Sequence, residues 1–327
     1  MTGGILATAA AAQFAGQRVL LTGASGFLGG HVARQAMAAG VQLHELGRRA
    51  GGHGAQFHAA DLTDAAAVAQ VVAMVRPNAV IHCAAPGVSY GAMEFTAMLE
   101  IAAGGTQALY AACAALGEPP AVVHIGSGFE YAASDAPVCE DAPTIPSASL
   151  YGAAKAASST VAQDHATSLR IMLLRPFHIY GAGEAAQRLG PMLIAKARAG
   201  ERVALTGGEQ QRDFLHVDDC ARCIWVALAT AGRANAGGAR DCGVTVLNCG
   251  SGTAITLRHF IALLAMELRR AGLEPDLALG ALPYRAHEPM VSLPDLARLH
   301  DTLDWRPRVS LEQGIADLVQ VELNACR

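Results

Sequence analysis

Aromatic residues make up only 5% of the 327 residues, and charged residues only 16%, against roughly 25% charged in an average soluble chain. The core must therefore be built mainly from Ala, Val, Leu and Ile, and a hydrophobic share of 52% excludes a mostly disordered chain. No unbroken apolar run approaches the roughly 18–20 residues of a membrane span. No long basic stripe is present, and 24 basic against 28 acidic residues leave a net charge of −4, so neither nucleic acid nor an anionic membrane is the expected partner. The start is apolar from Ile5 to Ala12 but has its first basic residue at Arg18, unlike a secretory signal, and residues 1–17 read as a loose leader. Among the eight cysteines, Cys220 and Cys223 form a single Cys-x-x-Cys with no second pair. That pattern fits small core residues on one helix face of a reduced, cytoplasmic protein, with no metal centre. No internal repeat is visible.

What is present is an alternation. Short β-rich runs at Arg18–Thr22, Val41–Leu46, Gln56–His58, Ala79–His82, Ala121–Ile125 and Arg170–Leu174 are separated by helical stretches at about 27–39, 64–75, 93–116 and 149–168. Strands spaced by helices of this length make βαβ units and a parallel sheet covered on both faces. After Arg175-Pro176 the rhythm changes. Helical pieces near 186–199, 217–230, 256–271, 295–303 and 311–323 alternate with strands near Val203 and at Val244–Leu247, and the Ala/Gly-rich stretch 231–243 reads as a surface loop. The expected organisation is a leader (1–17), a dinucleotide-binding domain (18–176) and a smaller substrate-binding lobe (177–327), some segments of which return to the sheet.

Thr22-Gly23-Ala24-Ser25-Gly26-Phe27-Leu28-Gly29 closes the first strand and opens the first helix. Gly23 permits a tight turn, Gly26 lets backbone approach a pyrophosphate, and Gly29 lets the helix pack on the strand. The helix N-terminus then offers unpaired N–H groups to phosphate. Gly23, Ser25, Gly26, Phe27, Leu28 and Gly29 are candidate cofactor contacts of a Rossmann-type, doubly wound α/β fold. Where an acidic residue closing the second strand would hold a ribose hydroxyl, Gly47 stands instead, followed by Arg48. This favours NADP(H) over NAD(H). Glu45, inside the strand, is the rival ribose ligand, and a merely solvated Arg48-Arg49 pair is the plainer alternative. Asp61-Leu62 is placed to meet the adenine, with Asp61 also suited to a local cap.

Tyr151 and Lys155 lie four apart on a helix and share one face. A nearby ammonium favours phenolate, making the pair a tunable proton donor for a carbonyl. Ser127 follows the fifth strand, at the sheet edge where open α/β sheets present ligands.

The glycine loop, Asp61-Leu62, Val80-Ile-His-Cys-Ala-Ala85, Ser127 four residues before Tyr131, Tyr151/Lys155, Leu174-Arg-Pro176 and Arg212-Asp-Phe-Leu-His-Val-Asp218 together resemble the extended short-chain dehydrogenase/reductases, over roughly residues 18–320, and in particular the nucleotide-sugar epimerases, dehydratases and 4-ketoreductases. The resemblance implies that Ser127 hydrogen-bonds the substrate oxygen, Tyr151 transfers the proton, and Lys155 holds the nicotinamide ribose and tunes Tyr151. It implies that Ala84, Ala85 and Pro176 line the cofactor, and that Arg212 and Arg285 grip a sugar-nucleotide pyrophosphate with Glu288 at the nucleotide ribose. The alternatives are a structural bridge from Arg212 to Asp213 or Asp218, and a solvated loop pair for Arg285 and Glu288. His178 stands where the family usually has Asn near the diphosphate, and Ala102 where it often has Asn. The two positions where family dehydratases carry acids are Gly128 and Phe129, with Glu130 one place late, and the epimerase–reductases place Cys where Phe129 stands.

The expected activity is NADPH-dependent reduction of the C4 ketone of a nucleoside-diphosphate 4-keto-6-deoxyhexose. The alternative is a nucleotide-sugar 4-epimerase with tightly bound NAD; a non-catalytic dinucleotide sensor is less consistent with an intact Ser127/Tyr151/Lys155 set. The resemblance also implies a homodimer through the helices at 93–116 and 149–168, whose alanines (Ala102, Ala103, Ala111, Ala112, Ala153, Ala156, Ala157) either allow close approach or simply pack on the sheet.

Overall fold

A computed structural model describes residues 8–86, 93–144, 149–233, 242–286 and 288–324. The first half contains α1 (Ala9–Ala12), β1 (Arg18–Thr22), α2 (Phe27–Ala38), β2 (Gln42–Gly47), β3 (Gln56–Ala59), α3 (Ala65–Val75), β4 (Ala79–His82), α4 (Phe95–Leu99), a π-helical turn (Glu100–Gly104), α5 (Gly105–Ala114), β5 (Ala121–Ile125), α6 (Leu150–Asp164) and β6 (Arg170–Pro176). The second half adds β7 (His178–Tyr180), α7 (Leu189–Ala199), β8 (Val203–Ala204), β9 (Gln211–His216), α8 (Val217–Arg233), β10 (Gly243–Cys249), β11 (Ala254–Thr256), α9 (Leu257–Arg270), β12 (Leu277–Ala278), β13 (Val291–Ser292), α10 (Ala297–Thr302) and α11 (Leu311–Asn324).

Seven parallel strands form the central sheet in the order β10-β6-β5-β4-β1-β2-β3. Alternate residues of the buried strands serve two cores. Val19, Leu21, Ile81 and Val123 face one built with α2, α8 and α10, while Leu20, Val80 and Val122 face one built with α3, α5 and α6. The chain order reverses at β1, which has β2 on one side and β4 on the other, and that reversal opens a crevice at the strands' carboxyl ends. A third core, from α7, α9 and α11 around Phe260 and Leu264, sits under the C-terminal lobe. Within the second half, α8 packs in the core with α2, and β10 joins the sheet beside β6.

Three expectations are corrected. The leader is not loose over its described part: Thr8 caps α1, and Ala10, Ala11 and Phe14 are buried, with Phe14 5.9 Å from Trp225 of α8. An apolar start finds its partner on a helix more than 200 residues away, which local pattern does not reveal. The expected single helix 93–116 is broken by the π turn. The Gly105 N–H reaches back five residues to the Glu100 carbonyl, the wider ladder of a π turn, and just after it the Thr106 hydroxyl donates to the Ala102 carbonyl at 2.5 Å and contacts His82 and Ser158. The stretch 231–243 is not all loop: α8 runs to Arg233 and β10 starts at Gly243, while 234–241 lie outside the described residues.

Candidate catalytic site and dinucleotide cleft

The glycine loop joins β1 to α2 at the crevice. Gly23 has φ +77°, and a Cβ there would lie 2.7 Å from the Ala84 backbone nitrogen; a Cβ on Gly29 would lie 2.1 Å from the Gly23 carbonyl oxygen. The loop is thus pressed against the β4 end and against its own helix, where only glycine fits. Gly26 caps α2 without any side-chain acceptor, so the first-turn N–H groups stay available to an anion. Ser25, Gly26 and Phe27 line a cavity of about 950 Å³ that also includes Arg34 and His53. These features fit a dinucleotide pyrophosphate. Thr22 accepts the Ala84 N–H at 3.2 Å and bonds His82 at 2.7 Å, which fixes the Ala84–Ala85 turn. Burial holds His82 down to about 3, so its ring is neutral.

Beyond β2, Arg48 is 70% exposed with Nε 3.9 Å from Asp61 Oδ2. Asp61 is not the helix cap: its Oδ1 accepts the N–H and the hydroxyl of Thr63 in a local turn, while Asp64 caps α3 by accepting the Ala66 and Ala67 N–H groups. Leu62 turns away, packed into the core against Gly105, so it is not brought to the cleft surface. Glu45 is 3% exposed.

A second cavity, about 310 Å³, is lined by Phe27, Leu28, Ala85, Ser127, Tyr151, Lys155 and Pro176 together with Phe129, Glu184 and Arg188. Ser127 caps the turn after β5, its Oγ accepting the Phe129 N–H at 3.2 Å, and Tyr151 is hydrogen-bonded to the Ser127 side chain. Lys155 is buried and donates to the Ile125 carbonyl. The expected lowering of the Tyr151 phenol is corrected. Burial, reinforced by the Glu130 charge, pushes it up to about 12 against the opposing pull of Arg188 and Ser127. Desolvation outweighs any nearby cation here, and the phenol is held in its protonated, proton-donating form.

Aromatic contacts carry the site towards the C-terminal lobe. The Phe129 ring lies 6.3 Å from Tyr151 and 5.7 Å from His178, and His178 lies 5.9 Å from Phe214 of β9. His178 bonds Ser292 at 3.1 Å, and burial holds it down to about 3, hence neutral. Arg212 does not bridge to Asp213 or Asp218. It donates to the Gln211 and Pro289 carbonyls, both at 2.8 Å, with Glu288 3.9 Å away. Asp213 instead accepts the N–H groups of Ser251 and Gly252, and Asp218 pairs with His31. Glu288 accepts from Gln210 at 2.7 Å and from the Arg285 N–H at 3.4 Å, so Arg212, Glu288 and the Arg285 backbone share one corner while the Arg285 side chain is exposed.

Sequence reasoning missed Glu184 and Arg188, which face the same cavity. Their i, i+4 spacing just after Tyr180-Gly181 is the signal that could have found them; Arg188 Nε lies 3.5 Å from Glu184, and burial raises Glu184 to about 7. Cys220 and Cys223 are fully buried free thiols on α8, hydrogen-bonded to the Cys249 sulfur. Among the described residues no group of His, Cys, Asp and Glu is arranged to hold a metal ion, and no helix is long and apolar enough to cross a membrane.

A doubly wound parallel sheet, a glycine loop at its first strand and a Ser–Tyr–Lys set at the switch point define an enzyme of the extended short-chain dehydrogenase/reductase class, dependent on NAD(P). The chain belongs to the NAD dependent epimerase/dehydratase family, whose model matches residues 19–246. It is 28% identical over 316 residues to a dTDP-6-deoxy-L-talose 4-dehydrogenase (NAD(P)(+)) of Kitasatospora kifunensis, covering 92% of this chain and 94% of that one. It is 29% identical over 330 residues to a dTDP-4-dehydro-6-deoxy-D-allose reductase of Streptomyces bikiniensis, covering 92% and 96%. Among solved structures it resembles MoeE5 in complex with UDP-glucose and NAD, with TM-score 0.80, 28% identity and coverage of 95% and 100%.

Proposed function

We propose that this chain modifies nucleotide sugars, and that its reaction is the NADPH-dependent reduction of the C4 ketone of a nucleoside-diphosphate 4-keto-6-deoxyhexose. The observation that carries the reading is the Tyr151 phenol, kept protonated and bonded to Ser127 in one cavity with Lys155. A carbonyl oxygen taking the place of that internal bond would accept from Ser127 and receive its proton from Tyr151. A nicotinamide held in this cleft would supply the hydride. Lys155, held by the Ile125 carbonyl, lines the same cavity, where its ammonium would steady the forming alkoxide; burial lowers that ammonium and the Glu130 charge opposes the lowering. Arg212 and Arg285 would grip the nucleotide diphosphate, since a guanidinium fork matches phosphate oxygens, and Glu288 would accept from the nucleotide ribose. Phe129 and Gly128 stand where family dehydratases have acids, which supports reduction over elimination. The likeness to relatives named as a 4-dehydrogenase and a 4-dehydro-6-deoxyallose reductase supports the same direction.

The second reading is a 4-epimerase that uses the same three residues and retains NAD, supported by the likeness to MoeE5 with UDP-glucose and NAD. Purified protein, assayed with a panel of 4-keto and 4-hydroxy nucleotide sugars, separates the two. Stoichiometric loss of reduced-nicotinamide absorbance is the expected result. Interconversion of two 4-hydroxy sugars without net cofactor turnover, on protein that purifies with its dinucleotide, would replace reduction by epimerisation. Binding without turnover of any sugar would leave a sensor.

A further inference from the structure

The turn that follows β5 is held by a carboxylate the proposed chemistry does not use. Glu130 is fully buried, an unusual place for a charge. Its Oε1 accepts the Ser127 N–H at 2.7 Å, while Ser127 Oγ accepts the Phe129 N–H at 3.2 Å, a reciprocal cap that fixes the backbone of Ser127. Its Oε2 accepts Arg175 Nε at 2.9 Å. Arg175 is itself tied to the Tyr131 hydroxyl at 2.9 Å, which donates to Asn248 at 2.7 Å. A Cβ on residue 126 would fall 2.5 Å from Glu130 Oε1, so Gly126 leaves the space the carboxylate fills. A buried ion pair is a poor device for stability alone, since well-packed apolar residues often do as well or better.

We propose that Glu130 is a positioning residue of the catalytic site, its carboxylate fixing the Ser127 backbone and supplying the negative charge that balances the Lys155 ammonium. The inference rests on the assignment of Ser127, Tyr151 and Lys155 as the reacting set. Burial lowers the Lys155 ammonium, and Glu130 is the largest opposing influence, with Cys83 next. His82 and His124, from β4 and β5, also lie within reach of that ammonium and are held neutral by burial. Tyr151 feels Glu130 from one side and the Arg188 guanidinium of the α7 cap from the other. Glu130 is raised by burial and brought back chiefly by Arg175. Removing its charge therefore lets both Lys155 and Tyr151 deprotonate more readily, and the same sign holds for the two.

The test is the pH–rate profile of Glu130→Gln and Glu130→Asp with the substrate the wild type accepts, beside Tyr151→Phe and cofactor dissociation constants. Gln keeps an acceptor for the Ser127 N–H and loses the charge. Its alkaline limb is expected to move about one pH unit to lower pH, in line with the effect of a close opposite charge, with cofactor affinity within a few-fold. Asp keeps the charge but withdraws from Ser127; its limb should stay in place while kcat falls by about tenfold. If Glu130→Gln does not fold, Glu130→Gln/Arg175→Met removes both buried charges and should show the same limb shift. A Glu130→Gln profile that superimposes on wild type, or an Asp variant whose limb moves as far as the Gln variant's, overturns the role of Glu130 while leaving the reacting set intact. A fully active Tyr151→Phe overturns the reacting set, and the proposal falls with it.

Discussion

Glu45 Oε2 accepts the Gly51 N–H at 2.7 Å and so holds the following loop, while its buried Oε1 has no hydrogen-bond partner among the described residues. Arg48, the first residue past the strand, stands in solvent near Asp61. This arrangement supports Arg48 as the residue that selects the cofactor. A guanidinium–phosphate contact is worth roughly 1.5–3 kcal/mol, or about a tenfold to hundredfold preference for NADPH over NADH. Arg48→Ala should remove most of that preference by weakening NADPH alone, with a remnant from Arg49. Glu45→Ala should leave the preference in place. Dissociation constants of both cofactors for the three proteins decide it; wild type binding NADH as tightly as NADPH would end the assignment.

Tyr151→Phe should lower turnover by at least about a hundredfold, the usual scale of a lost general acid, while cofactor affinity changes only a few-fold. The ring keeps its contact with Phe129 and only the proton donor is lost. Single-turnover kinetics with either cofactor measure this directly, and a wild-type rate would remove Tyr151 as the acid.

Glu184 gives a pH signature in stability. Its folded value of about 7 lies above the ordinary 4.5, so the native state binds a proton more readily than the unfolded chain. Stability linked to this group is therefore greatest below about 4.5 and is lost as pH rises towards 7. Glu184→Gln should match wild type at pH 5 and be more stable by about 1–3 kcal/mol at pH 8. Urea unfolding at the two pH values is the measurement, and an equal difference at both would mean that the carboxyl titrates normally.

Phe14→Ala should destabilise the fold by about 3 kcal/mol, the low end for a buried aromatic truncation. The ring packs on Trp225 and is nearly inaccessible. A change below about 0.5 kcal/mol in unfolding free energy from urea titration would count against this packing.

The protein is expected to be a homodimer joined through α4, α5 and α6. Ala111 is exposed, and Ala103, Ala112, Ala153, Ala156 and Ala157 are half-buried, which leaves small side chains at the surface. Ala102 is inside, packed with Met98 and Ala154. Light scattering at micromolar concentration should give twice the chain mass. A monomer there would count against the pairing, and Ala111→Arg should split a true dimer.

The alternation of strands and helices, the glycine loop and the Tyr151/Lys155 spacing were legible in the order of residues alone. These signals are local: a period, a steric demand for glycine and a four-residue helical offset can each be read within a few residues. Other features depend on residues far apart in the chain that meet only in the folded molecule. Phe14 meets Trp225, Arg212 meets the Pro289 carbonyl and Glu288, and Thr106 meets His82 and Ser158. The direction of the Tyr151 shift belongs to the same group. A neighbouring lysine on one helix face suggests a lowered phenol, but burial and the Glu130 charge are properties of the assembled core, and they reverse the sign.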